Sequence, residues 1–168
     1  MVQILPLSEK KEIYPIPAFW AYINWYLSRD IPFNIILNEY KRRAAGMASP
    51  YTFMAFSDDI PAGMVTLKQH DLASRKDLSP WLSALYVVPE FRNQGIGSQM
   101  INRIIEEAGN SGYKNLHLFI DNRDLTRLEN YYIKRGWQFL DSSPGPDGET
   151  AKIYSFTIQQ TLCHQSWW

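Results

Sequence analysis

The chain has 168 residues, the size of one domain around one core, and Lys plus Arg equal Asp plus Glu at 17 each. That balance provides no overall field toward nucleic acid or an anionic membrane, so neither is expected as a partner. Hydrophobic residues make up 45% and aromatics 14%, which points to a core or pocket rich in rings. Cys163 is the only cysteine, which excludes an intrachain disulfide and a cysteine-built metal cluster. The opening MVQILPLSEKKEIYP lacks a charged start followed by a long apolar stretch, and no apolar run approaches a membrane span. A cytoplasmic protein is the expectation.

In chain order, Val2 to Leu7 reads as a short strand. PAFWAYINWYLS, from Pro17 to Ser28, crowds rings at helical spacing, with Pro17 suited to a first turn. Pro32 interrupts, and FNIILNEYKRRAAGM reads as a second helix ending near Gly46. The period then shortens: YTFMAFS (51–57) and AGMVTLKQH (62–70) form a hairpin around DDIP, and WLSALYVV (81–88) is a further strand stopped by Pro89. Ile96, Met100, Ile101, Ile104, Ile105 and Ala108 recur at helical spacing, with Gly109 and Gly112 as the stop. KNLHLFI (114–120) is a strand, LTRLENYYIKR (125–135) a helix ended by Gly136, and WQFLD and AKIYSFTI two last strands around SSPGPDGE. The order β-α-α-β-β-β-α-β-α-β-β predicts a single α/β (α+β) domain. Its central sheet is mixed and mostly antiparallel, flanked by helices, with one parallel pair across the 96–109 helix.

Between that strand and helix lies YVVPEFRNQGIGSQM (86–100), whose glycines leave backbone amides bare at a helix start. The first-turn amides have no internal partners and the helix dipole favours negative charge, so the loop suits a phosphate. A P-loop would need Gly-Lys-Ser/Thr, and GIGS has no lysine. A dinucleotide fingerprint would need a third glycine where Met100 stands, and six residues separate Val88 from Gly95.

What fits is Arg-x-x-Gly-x-Gly, here Arg92-Asn93-Gln94-Gly95-Ile96-Gly97, after a strand ending Val-Val-Pro. This resembles the coenzyme A loop of the GNAT acyltransferase superfamily. YYIKRGW (131–137) is similar to that superfamily's later helix end, and the joint pattern covers about residues 50 to 142. The resemblance implies acetyl-CoA as cosubstrate, with its pyrophosphate on the amides of Asn93, Gln94, Gly95, Ile96, Gly97 and Ser98. Arg92 would shape the loop or contact phosphate, and the pantetheine arm would run along Leu85, Tyr86 and Val87. Residues 16–48 would then be acceptor-side helices, 50–142 the CoA-binding core, and 143–168 the last strands and tail.

The implied reaction is attack by an amine of a small molecule or peptide within a ternary complex, with no metal. Tyr132 occupies the family's tyrosine position and is the candidate general acid, a phenol protonated at pH 7; as a bare ring it would simply fill the core. Tyr131 is expected to pack. The base is open: Trp81 stands where some relatives carry glutamate, His117 is the nearest substitute, and His70 and Asp71 are outsiders acting through water. A lone strand histidine is more often a packing residue. Relatives often place an asparagine where this chain has Leu125, so Asn122 would reach the cosubstrate only with a three-residue shift. Trp20, Trp25 and Tyr26 either fill the core or shape an acceptor pocket. Trp167 and Trp168 cover an apolar surface or a neighbouring subunit, which keeps a homodimer open. The alternative to an enzyme is a degenerate module that holds acyl-CoA without turnover.

Overall fold

Residues 51–56 are apolar almost without alternation because their strand is covered on both faces. Phe53 and Ala55 face one core, Met54 and Phe56 the other, and all four are buried. This is seen in a computed structural model that describes residues 1–46, 49–121 and 125–159. The seven strands are β1 (Val2–Pro6), β2 (Tyr51–Ser57), β3 (Ile60–Lys68), β4 (Trp81–Val87), β5 (Asn115–Ile120), β6 (Gln138–Pro144) and β7 (Thr150–Thr157). They form one sheet in the order β1-β2-β3-β4-β5-β7-β6. Only β4 and β5 run parallel. The expected α/β class and its single parallel pair are both present.

Four helices cover this sheet: α1 (Pro15–Ala21), α2 (Phe33–Ala44), α3 (Ile96–Asn110) and α4 (Leu125–Ile133). From α3, Ile96, Met100, Ile101, Ile104 and Ala108 pack on Val65, Leu82, Leu116 and Leu118, and Tyr132 and Trp137 join the same core. Burying a side chain such as Ile104 stabilises by about 1.5–3 kcal/mol. On the opposite face, α1 and α2 bury Ala18, Ala21, Ile36 and Tyr40 against Met54 and Met64. No helix among the described residues is long and apolar enough to cross a membrane.

Several boundaries differ from the sequence reading. The first helix begins at Pro15, and after Ala21 it widens into a π turn over Tyr22–Tyr26 and tightens over Leu27–Arg29. Gly109 does not stop α3, which runs to Asn110; a Cβ there would lie 3.2 Å from Ile158 Cγ2, so this glycine serves packing. The left-handed stop is Gly112, at φ +84. Strand β6 continues through Ser142, Ser143 and Pro144 because β7 supplies partners for each, drawing turn-forming residues into the ladder.

The feature that shapes the site is a break in the middle of the sheet. Strand β4 meets β5 at one pair, Trp81 with His117, where the His117 amide donates to the Pro80 carbonyl at 3.0 Å. Beyond it β4 runs on to Val87 and β5 to Ile120 with no further pair. On its other side β4 slips register against β3 between Met64 and Thr66. There Ala84 takes φ 51, a conformation that alanine rarely adopts, and the resulting bulge turns the strand.

Candidate active site

The loop after β4 is shaped by two left-handed residues, Asn93 at φ 60 and Gly95 at φ 78. Asparagine tolerates that region better than other side chains, so Asn93 serves where a glycine would be expected. Arg92 folds back and its Nε donates to the Val87 carbonyl at 2.9 Å, while Gln94 Nε2 donates to the Glu90 carbonyl at 3.1 Å. The Arg92 side chain is therefore engaged within its own loop. Helix α3 starts immediately after Gly95 and presents the free amides of its first turn.

Gly97 has a different role. A Cβ there would sit 2.9 Å from the Tyr131 hydroxyl, so glycine lets α4 approach the start of α3. Tyr131 in turn carries Arg135, whose guanidinium lies 3.5 Å over its ring. Arg135 Nε and Nη2 donate to Ser98 Oγ at 3.2 and 2.9 Å, and Nη1 donates to the Tyr131 carbonyl at 2.8 Å. A cation is thus fixed beside the amino end of α3. The sequence reading missed Arg135, although it stands inside the quoted YYIKRGW.

Tyr132 is buried, edge-on to Tyr131 and Trp137 at 5.4 and 5.8 Å between ring centres. Burial, with the neighbouring Tyr131, raises its hydroxyl above the ordinary phenol value, and Arg135 only partly offsets this. The group stays protonated and can only give a proton at neutral pH. One turn earlier, Glu129 receives bonds from Lys152 Nζ at 2.8 Å and from the Tyr154 hydroxyl, which pins α4 to β7.

Leu85 and Val87 point toward α3, and Tyr86 points the other way beneath Trp20, 5.4 Å between ring centres. Trp20 and Trp25 pack in the α1–α2 core, while Tyr26 lines a cavity beside α2. Asn122, Trp167 and Trp168 lie outside the described residues. Arg29 clasps Asp147 with two bonds of 2.6 and 3.3 Å, joining the α1–α2 connection to the β6–β7 turn.

His117 and Tyr132 do not come together; they pack on opposite faces of the sheet. His117 is 6% exposed and its ring lies 5.6 Å from that of Trp81, itself fully buried. Nδ1 lies 3.1 Å from the Pro80 carbonyl, which only accepts, so the proton is assigned to Nδ1. Burial lowers the His117 pKa below its ordinary 6.5, outweighing the carbonyl contact that raises it. The unfolded chain then binds that proton more readily than the fold does. Stability should be full above pH 6.5 and lost as pH falls through the folded value. His117→Gln should flatten this slope, read as urea midpoints at about pH 5 and about pH 7.5.

A parted parallel strand pair thus lies beside a phosphate-type loop at the head of the crossover helix. The sequence profile of the acetyltransferase (GNAT) family matches residues 5–137, and the chain belongs to that family. It is an acyltransferase, and its family uses acetyl-CoA as donor. A GNAT-family protein from Desulfovibrio desulfuricans superposes with TM-score 0.71 at 12% identity, over 95% of this chain and 100% of that one. An N-acetyltransferase from Staphylococcus aureus Mu50 gives 0.69 at 15%, over 95% and 99%. A Bacillus anthracis protein described as a streptothricin acetyltransferase, solved with acetyl coenzyme A, gives 0.57 at 14%, over 68% and 65%. No curated protein matches the sequence.

The residues present fit the donor. A polyamide arm needs backbone partners, and β4 beyond Trp81 has an edge that β5 leaves unpaired. A pyrophosphate needs amides and cations, and the head of α3 has Arg135 beside it.

Proposed function

We propose that this acetyltransferase moves an acetyl group from acetyl-CoA to an amine of a small molecule or peptide by direct attack, with both substrates bound together. The observation that carries the reading is the single-pair contact of β4 with β5, opening beside the amino end of α3. In this reading the backbone of Leu85, Tyr86 and Val87 receives the pantetheine arm, and Asn122 is a further candidate contact to the cosubstrate. The amides from Asn93 to Ser98 hold the pyrophosphate with Arg135, while Arg92 keeps the loop in shape. Residues 16–48 face the acceptor, 50–142 hold the donor, and 143–168 complete the domain. A cytoplasmic location goes with a donor drawn from general metabolism.

Bound acetyl-CoA supplies an activated acyl carbon on a thioester. The chain supplies the rest: β4 amides that stabilise negative charge on the carbonyl oxygen, and Tyr132 to hand a proton to the departing sulfur. Aliphatic amines titrate near 10, so the acceptor must lose a proton before it attacks. His117, neutral and on the acceptor face, would serve only through water, because Trp81 covers it.

Calorimetric titration with acetyl-CoA, followed by thiol release on adding an amine panel, tests the reading. Binding with amine-dependent release is the expected result; no binding sinks it. Arg135→Met should weaken acetyl-CoA about tenfold and reduce the salt dependence of binding, as expected for loss of a phosphate contact. An unchanged affinity would remove Arg135 from the site.

A further inference from the structure

Beside α2 and the end of β3 lies a cavity of about 450 Å³, within the range of small-molecule sites. Its apolar lining comes from Ile31, Ile35, Ile36 and Pro50. Its charged and phenolic lining comes from Arg43, Lys68, Glu39, Tyr26 and Tyr40, with Ser49, Gln69 and His70 beside them. The charged groups among them hold more donors than acceptors. Arg43 is 8% exposed and its Nε is buried with no hydrogen-bond partner. Its other nitrogens make only long contacts, to Thr52 Oγ1 at 3.5 Å and Glu39 Oε2 at 3.4 Å. Glu39 is shared, since Arg42 also donates to it. Among the described residues Lys68 Nζ donates only to Asp71, at 2.7 Å, which leaves two of its three N–H groups. Burial keeps the Tyr40 hydroxyl protonated, and it donates to Met64 Sδ at 3.8 Å, so the free donors of this cavity are those of Arg43 and Lys68.

Arg43 and Lys68 line the cavity against one carboxylate, Glu39, a surplus of one positive charge; Asp71, outside the lining, pairs with Lys68. A buried guanidinium with an idle N–H is a costly arrangement that an acceptor-rich anion would relieve. A cationic ligand would find no uncommitted carboxylate here. We propose that this cavity binds a small monocarboxylate with an apolar body, its anionic end against Lys68 and Arg43 and its body along Ile31, Ile35 and Ile36. The site stands on the cavity's own chemistry and holds whether or not the acetyl-transfer reading does.

The test is ligand-observed NMR on the full chain with 4-methylpentanoate and its neutral isostere 4-methylpentanamide, without acetyl-CoA. The acid should bind, with the amide at least about tenfold weaker, and Lys68→Met should weaken the acid by about tenfold or more. Arg43→Gln should do the same, but its burial endangers folding, so Lys68→Met, nearer the rim, is the deciding variant. Its fold is checked independently by thermal unfolding. Equal affinity for acid and amide, an unchanged Lys68→Met, or no binding of the acid below about 10 mM would overturn the site. Leucine and glycyl-leucine, added with acetyl-CoA, identify the carboxylate's source. Transfer to either with KM raised in Lys68→Met makes it the acceptor's own acid end; binding without transfer makes it a separate ligand, and both retain the site.

Discussion

Tyr132→Phe is expected to lower kcat by about 10²-fold while leaving acetyl-CoA affinity within about twofold of the parent. The substitution removes one oxygen and keeps the ring, so the contacts with Tyr131 and Trp137 survive. Stability should change by about 1 kcal/mol or less, the net worth of an ordinary hydroxyl contact. Because burial raises the hydroxyl's pKa, the parent should show no loss of rate below about pH 10 from deprotonation of this group. Single-turnover rates measured where chemistry limits give the decisive comparison. An unchanged rate with unchanged stability would leave Tyr132 a core ring and remove it as the acid.

The second large effect is on the fold. Gly63→Ala should cost about 3 kcal/mol, near the top of the usual overpacking range, and lower Tm by about 6–12 °C. Gly63 sits on β3 opposite Val87, where a Cβ would lie 2.6 Å from the Tyr86 carbonyl oxygen and 2.9 Å from Met100 Cε. Met100 can swing aside; the Tyr86 carbonyl is main chain and cannot move without shifting β4. Acetyl-CoA affinity should fall in the same variant, because the displaced strand is the one proposed to hold the pantetheine arm. Gly148→Ala, in open space at φ +79, is the contrast and should cost only about 1 kcal/mol from backbone strain. A Gly63→Ala melting curve indistinguishable from the parent would mean that β3 and β4 are less tightly apposed than described.

Much of the fold was legible because its periodicities are strong. The apolar repeat from Ile96 to Ala108 faces one core, and the unbroken run of 51–56 is the mark of a strand covered on both sides. Gly109 was misread because a glycine inside a helix resembles a stop; only the nearness of Ile158, 49 residues on, explains it. Ala84 had no local signal, since nothing in Ser-Ala-Leu announces a left-handed residue. The phosphate-type loop was legible from its glycines, but their separate functions were not. Gly95 turns the chain, while Gly97 makes room for a tyrosine from another helix. The Arg43–Lys68 cavity was unreadable for the same reason: its charges come from α2 and β3, and their shortage of acceptors exists only after folding.

The proposed pantetheine site in this broken ladder would recognise its guest with peptide groups, which every residue type except proline carries in full. Residues 82–87 and 118–120 can therefore drift through many side chains without erasing the gap between their strands, provided that each still packs. A saturation scan would find the half-buried positions of this stretch, such as Leu85 and Val87, more permissive than Gly63, whose constraint is the nearness of another backbone. Descent in such a protein is written in the path of its main chain more durably than in its letters.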